Sequence, residues 1–261
     1  MRIDPDGGGM NRSLERGIAI LRAFRPGVST LGNAELAERT GLAKATISRL
    51  TQTLVVCGLL QRDDHQRAYR LAPAVLSFAH AMRLSSPVLA AIGPLMRLEA
   101  TRRRVNVGLA ASDGDMMVYL ESFRYSPRAS FRTIVSGQRV PIELTSLGRA
   151  YLWGLHETQR SKALNDIAGR RQKARTQLSA EIETSFQELA IQGYCAVRWQ
   201  PGVVAVSVPL LAGSSTPYAL NMSIASDEPV ADAGRRLGAW LLDLKKRCDD
   251  AIDVQSAPDL V

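Results

Sequence analysis

One stretch constrains this chain more than any other. Residues 31–71, LGNAELAERTGLAKATISRLTQTLVVCGLLQRDDHQRAYRL, hold a short helix, a glycine turn, a second helix and a hairpin in immediate succession. That order reads as a winged helix-turn-helix, which lays its second helix in the major groove of DNA. Upstream, Ser13 is the expected cap of a helix that carries Leu14, Ile18, Leu21 and Phe24 and ends near Arg25, before Pro26 and Gly27. The next helix begins around Asn33 and turns Leu36 and Ala37 to the core; Gly41 follows Thr40 where the chain must reverse, a place suited to positive φ. In the second helix of the motif Ile47, Leu50 and Leu54 recur at i, i+3 and i+7, which leaves Lys44, Thr46, Ser48, Arg49 and Gln52 on the opposite face. Basic side chains there neutralise phosphates or read guanine edges, and the hydroxyls and amide add shorter polar contacts. Arg49 is the first candidate; its alternative is a solvated surface arginine. Residues 59–60 open a strand, 63–66 make a polar turn and 68–71 return, so Arg62, Arg67 and Arg70 give the wing a basic surface. Arg70 suits a packing role equally well.

Charge agrees with this reading. The chain has 261 residues, enough for two cores, and a formal charge of +8. Residues 1–86 hold twelve Lys or Arg against seven Asp or Glu, so much of the excess lies with the motif and favours an anionic partner. Cys57, Cys195 and Cys248 have neither zinc spacing nor the even count of a disulfide framework, which points to a reducing compartment. No apolar run reaches the roughly 18–20 residues that cross a bilayer. The opening MRIDPDGGGMNRS lacks the apolar core of a signal peptide and reads as a flexible leader. The expectation is a cytoplasmic protein without membrane contact, metal or cofactor. His65, His80 and His156 are the only histidines; His65 lies in the wing, and neither His80 nor His156 has a partner suggesting a metal site or a triad. Cys195 reads better as a buried inert thiol than as a nucleophile.

Pro73 opens a helix whose Ala74, Leu76, Phe78, Ala79 and Met82 form an apolar stripe; it packs either on a partner's linker helix or on its own domain. Residues 85–87, Ser-Ser-Pro, break the pattern and mark a boundary. Beyond it the sequence predicts an amphipathic helix at 88–103 and strands at 105–111 and 116–123 around a turn at 112–115. A short strand is expected near 132–135, then a helix capped by Thr145 or Ser146 and a helical stretch at 159–193 stopped by Gly193. Strands at 203–211 and 217–225 follow, joined by a turn at 212–216, and a last helix runs from about Pro229 through Leu244. The fold class is α+β, a mostly antiparallel sheet flanked by helices with room for a small-molecule cavity. The organisation is a leader (1–12), a winged helix-turn-helix (13–72), a linker helix (73–86), an effector-binding and oligomerisation domain (87–249) and a tail (250–261).

From about Ser13 to Asp249 the chain resembles the IclR-type bacterial transcription regulators. The resemblance is carried by Leu14-Glu15-Arg16-Gly17-Ile18, Glu35-Leu36-Ala37, Thr40-Gly41-Leu42, Lys44 to Leu50 and Tyr69-Arg70-Leu71. It continues through Val118-Tyr119-Leu120, Gly137, Pro141, Thr145 to Ala150, Gly193-Tyr194, Pro201-Gly202-Val203 and Ala219 to Ser223. It implies a GAF-like effector domain, a homodimer or a tetramer of dimers, operator DNA as partner, repression or activation of nearby genes with RNA polymerase as a further partner, and a small organic-acid effector. Carried onto matching positions, the pocket candidates are Gly148, Arg149, Ala205, Asn221 and Ser223. Asn221 and Ser223, two apart on a strand, point to one face and can hold a carboxylate or hydroxyl; the alternative is that they satisfy nearby backbone. Arg149 either enters the cavity or faces solvent or a neighbouring subunit.

Two departures stand out. Where many relatives carry acidic residues, this chain has Ala196-Val197-Arg198-Trp199-Gln200, and where they carry a cysteine it has Ala205. Such a lining is more apolar and closed on one side by Trp199, unless Trp199 packs into a subunit interface; an anion with an aromatic or aliphatic body fits it. The reading is therefore an effector-controlled DNA-binding regulator. The alternative is a constitutive regulator whose second domain only drives assembly, and an enzyme with an appended winged helix is a third class lacking a catalytic cluster.

Overall fold

The computed structural model describes residues 11–125, 135–213 and 217–256. Most of the expected leader, most of the strand near 132–135 and part of the 212–216 turn lie outside the described residues. The chain divides into two compact units, Met1–Ser85 and Ser86–Val261.

The first unit opens with α1 (Arg12–Ala23), capped not by Ser13 but by Asn11, whose side chain accepts from the Ser13 and Leu14 amides at 3.0 and 3.1 Å. Strand β1 (Leu31–Gly32) leads into α2 (Asn33–Thr40), where the Gly32 amide donates to Glu35 Oε2 at 2.8 Å and fixes the helix entry. Gly41 ends α2 at φ 70°, the left-handed conformation the turn requires. Helix α3 (Lys44–Val56) and the hairpin β2 (Leu60–Asp63) and β3 (Ala68–Leu71) follow. The three strands pair antiparallel in the order β1-β3-β2. Ile20, Leu31, Leu36, Ile47, Leu54 and Leu60 form the core. Leu50, expected inward, is only half-buried, and Thr51 takes the buried position with its hydroxyl donating to Ile47 O at 2.8 Å. Helix α4 (Ala74–Leu84) buries none of its residues; Leu76 and Phe78 are 73% and 63% exposed.

In the second unit α5 (Pro87–Arg103) precedes β4 (Asn106–Asp113), β5 (Met116–Phe123) and β6 (Arg139–Pro141). Helices α6 (Ser146–Gly154), α7 (Glu157–Arg170) and α8 (Arg175–Gln192) come next, with a 3-10 turn at Gln172–Ala174. Strands β7 (Cys195–Gln200), β8 (Val203–Leu210) and β9 (Tyr218–Ala225) lead to α9 (Val230–Ser256). The six strands run β6-β5-β4-β9-β8-β7 and every described pairing is antiparallel. Val107, Leu109, Val206, Val208, Leu220 and Met222 line the face that packs on α5 and α9. The opposite face meets α6 and α8. The tail expected from residue 250 is corrected: α9 continues to Ser256, because Cys248 and Ile252 extend its apolar stripe and are buried in the core.

Between α5 and α9 the carboxylate of Glu99 is fully buried, held by Arg103 Nε at 3.0 Å and an Arg247 terminal nitrogen at 2.7 Å. Burial alone would raise this carboxyl, but the bonds from Arg103 and Arg247 outweigh it and hold it below its ordinary value of 4.5. A group depressed on folding gives its stabilisation above its unfolded pKa and loses it as pH falls through the folded value. Glu99→Gln is therefore expected to lower stability at pH 7 by about 3 kcal/mol, the low end for a broken buried pair because both arginines reach water. The gap to the unsubstituted protein should close as the pH drops below the glutamate range, which urea titrations at pH 7 and at acid pH would show.

Candidate nucleic-acid interface and ligand pocket

On α3 the side chains of Lys44, Ser48, Arg49 and Gln52 are exposed on one face. Lys44 and Arg49 form no side-chain hydrogen bond or ion pair among the described residues, so both cations are free for an anionic partner. Thr46 is half-buried, one turn before Leu50 on the flank of the inward stripe, and is less available than its neighbours. Ala45, missed in the sequence, is exposed one turn before Ser48 and Arg49; its methyl suits contact with a thymine methyl. In the wing Arg62 pairs with Asp64 at 2.8 Å, while Arg67 and Arg70 are exposed. Exposure of Arg70 argues against its packing role. Arg67 sits at φ 50° and fixes the tip of the hairpin, a conformation uncommon without glycine.

The second candidate lies on the α6 face of the large sheet. Register places Gly108, Asn221 and Ser207 in one row across β4, β9 and β8, and Asn106, Ser223 and Ala205 in the next. Asn221 and Ser223 are each 3% exposed and share a face, as the strand spacing predicted. The Asn221 amide meets the Tyr119 hydroxyl at 3.4 Å, and its Oδ1 is buried without a partner. The amide nitrogen is thus engaged by Tyr119, and Oδ1 is an acceptor with no donor among the described residues. Gly108 makes the arrangement possible: a Cβ there would stand 2.5 Å from the Tyr119 ring and 2.6 Å from Asn221 Oδ1. The Ser207 hydroxyl donates to Ser146 Oγ at 2.8 Å and ties β8 to the first residue of α6. Cys195 lies beneath, its thiol pushed up to about 12 by burial and so protonated and unreactive at neutral pH.

Arg149 is corrected as a pocket candidate, and Gly148 has a packing role. Arg149 is buried but directed at α8: its Nε donates to Glu143 O, and its terminal nitrogens donate to Glu181 O, Ser185 Oγ and Glu181 Oε2 at 2.8–3.2 Å. These bonds clamp α6 to α8 and leave the guanidinium committed. Gly148 is a packing residue: its amide donates to the capping Thr145 Oγ1 at 3.2 Å, and a Cβ would fall 1.9 Å from Ile142 O. Trp199 is half-buried against the cluster that contains Tyr119 and Cys195, and Ala205 is buried beside Ser223. Tyr119, Ser207 and Gly108 were missed. The alternation of Met117 with Tyr119 carried a signal for the first; the other two needed the strand order.

Residues 13–64 match the IclR helix-turn-helix domain family, and residues 81–248 match the family described as bacterial transcriptional regulator IclR C-terminal. The chain belongs to the IclR family of transcriptional regulators. It is 30% identical over 235 residues to the HTH-type transcriptional regulator TsaQ1/TsaQ2 of Comamonas testosteroni, covering 87% of this chain and 83% of that protein. The crystal structure of an IclR-family regulator from Brucella abortus superposes with a TM-score of 0.84 at 29% identity, covering 96% of each chain. An IclR homologue from Microbacterium hydrocarbonoxydans, complexed with 4-hydroxybenzoate, shares the fold at a TM-score of 0.71 and 17% identity, over 93% of this chain and 99% of that one. As an IclR protein the chain is a DNA-binding transcriptional regulator and not an enzyme. No single described helix is long and apolar enough to cross a membrane.

Proposed function

We propose that this IclR regulator reads a palindromic operator as a dimer and is controlled by a small organic acid, with a hydroxylated aromatic acid the best fit, bound on the α6 face of the sheet. The observation that carries the effector is the unpartnered buried atom of Asn221. A buried polar group without a partner costs about 1–3 kcal/mol, so a site that keeps one favours a ligand that satisfies it. Around it, Ser223 and the Tyr119 phenol, kept protonated by burial, offer neutral hydrogen bonds, and Trp199 and Ala205 offer apolar contact. Asn221 Oδ1 accepts from the ligand's hydroxyl, and with Arg149 committed to α8 the Ser223 and Tyr119 hydroxyls donate to its carboxylate. The 4-hydroxybenzoate complex of the Microbacterium homologue supports a ligand of this shape.

Exposed Leu76, Phe78, Met82 and Leu84 support pairing of α4 with its counterpart in a second copy. Such a dimer presents two copies of α3 to half-sites about one helical turn apart. An effector that prefers one arrangement of the subunits changes that spacing and so the occupancy of the operator. The test is footprinting of the DNA upstream of the protein's own gene and its neighbours, with and without a panel of aromatic and aliphatic acids. A protected palindrome altered by one compound supports the proposal; protection indifferent to all of them favours a constitutive regulator. For Asn221→Ala combined with Ser223→Ala, effector affinity should fall at least about tenfold, two hydrogen bonds at about 1 kcal/mol each. Operator binding without effector should persist. An unchanged effector titration would move the site elsewhere.

A further inference from the structure

A cavity of about 160 Å³ lies between α7 and α8, near the turn that joins them. Its apolar walls are Leu164, Ile167, Ala168, Leu178, Ile182 and Phe186, and Ser179 is the one neutral polar residue that lines it. A dry apolar cavity of about 150 Å³ is large enough to take up benzene. The polar groups of this one are unevenly distributed. Arg171 and Arg175 also line it, and Glu183 lies eight residues beyond Arg175, about 12 Å along α8. Arg171 is bound through Nε to the buried carboxylate of Glu143 at 2.8 Å. Drawing Arg171 away would strand that carboxylate, so it forms a fixed wall. Arg175 has no side-chain hydrogen bond or ion pair among the described residues. It opens α8, whose first turn carries no acidic side chain, so the helix dipole and the free guanidinium both favour an anion there.

We propose that this cavity is a second small-molecule site, separate from the sheet-face pocket, for a compact apolar monocarboxylate. The hydrocarbon body fills the space between Ile167, Ile182 and Phe186, and the carboxylate meets Arg175. Glu183 repels the reversed orientation. A neutral analogue of the same size gains the apolar contact without the ion pair, and a dicarboxylate sets its second charge against apolar walls and Glu183.

Full-length protein with labelled isoleucine methyl groups, titrated with benzoate, tests the site. Millimolar benzoate is expected to shift the Ile167 and Ile182 methyl signals, and to shift them equally in the Asn221→Ala/Ser223→Ala protein. Arg175→Gln, a change at the open mouth of the cavity, should weaken benzoate about tenfold and leave benzyl alcohol unaffected. Ala168→Leu fills the space and should abolish both responses while the remaining methyl signals keep their positions. The proposal is overturned if Ile167 and Ile182 do not move at saturating benzoate. It is equally overturned if their shifts disappear in the Asn221→Ala/Ser223→Ala protein, which would assign them to the sheet-face pocket, or if Arg175→Gln leaves benzoate affinity unchanged. The operator and effector tests above read different residues, so either conclusion can fail without the other.

Discussion

Arg49→Ala is expected to weaken operator binding at least tenfold at matched salt, while folding, assembly and effector binding stay as they are. Arg49 projects from the exposed face of α3, beside Ser48 and one turn before Gln52 and Thr53, and no described residue engages its guanidinium. Removing it strands no buried partner, so the loss is confined to the complex. A bidentate arginine–guanine contact is worth about 1–3 kcal/mol, and a dimer loses it at both half-sites. A phosphate contact would behave differently: affinity would fall on every sequence alike, and the slope of log affinity against log salt would drop by about one per contact. Fluorescence anisotropy on the operator and a scrambled duplex, at several salt concentrations, separates these outcomes. Loss on the operator alone assigns base reading; equal loss on both duplexes assigns backbone contact; no loss on either removes Arg49 from the interface. Arg62, already paired with Asp64, is the weaker candidate for the same experiment.

The winged helix-turn-helix was readable because its determinants are local. The spacing of Ile47 and Leu54 sets the buried face of α3, and Gly41 at φ 70° supplies a turn only a few residues long. Local signals fail where neighbours compete or the element is too short to show a period. Asn11 and Ser13 are both good caps, and only the geometry chooses Asn11. Two-residue β1 has no alternation to read. In α9 the polar run around Cys248 hides the apolar stripe that reaches Ile252. The candidate site on the sheet shows the same division. Asn221 and Ser223 fall on one face by strand geometry alone, whereas the approach of Tyr119 to Asn221 spans 102 residues and depends on β4 lying between β5 and β9. Arg149 carried no local sign that α8 would take its guanidinium, since Glu181 and Ser185 lie more than 30 residues away.

Gly148→Ala separates packing from ligand contact at the position where the two readings diverge most. An added Cβ would stand 1.9 Å from the Ile142 carbonyl oxygen, 2.3 Å from its Cα and 2.4 Å from its carbonyl carbon. All three are backbone atoms, so no side-chain rotation relieves the overlap; α6 or the segment before it must move by more than an ångström. Neither is free to do so. Thr145 Oγ1 bonds both the Gly148 amide and Pro141 O, Arg149 anchors the helix to α8, and Ser146 is joined to Ser207 at 2.8 Å. Overpacking of this kind costs about 1–3 kcal/mol where side chains can yield, and a rigid backbone contact puts the expected loss at about 3 kcal/mol or more. Effector affinity should fall with it, because displacing α6 stretches the Ser146–Ser207 bond that sets the helix against the rows of Asn221 and Ser223. Urea unfolding of the full-length protein, followed alongside an effector titration, decides the case. A protein of unchanged stability with weakened effector binding would return Gly148 to the ligand; a large loss of stability makes it the residue that lets α6 sit close enough to the sheet for a pocket to exist.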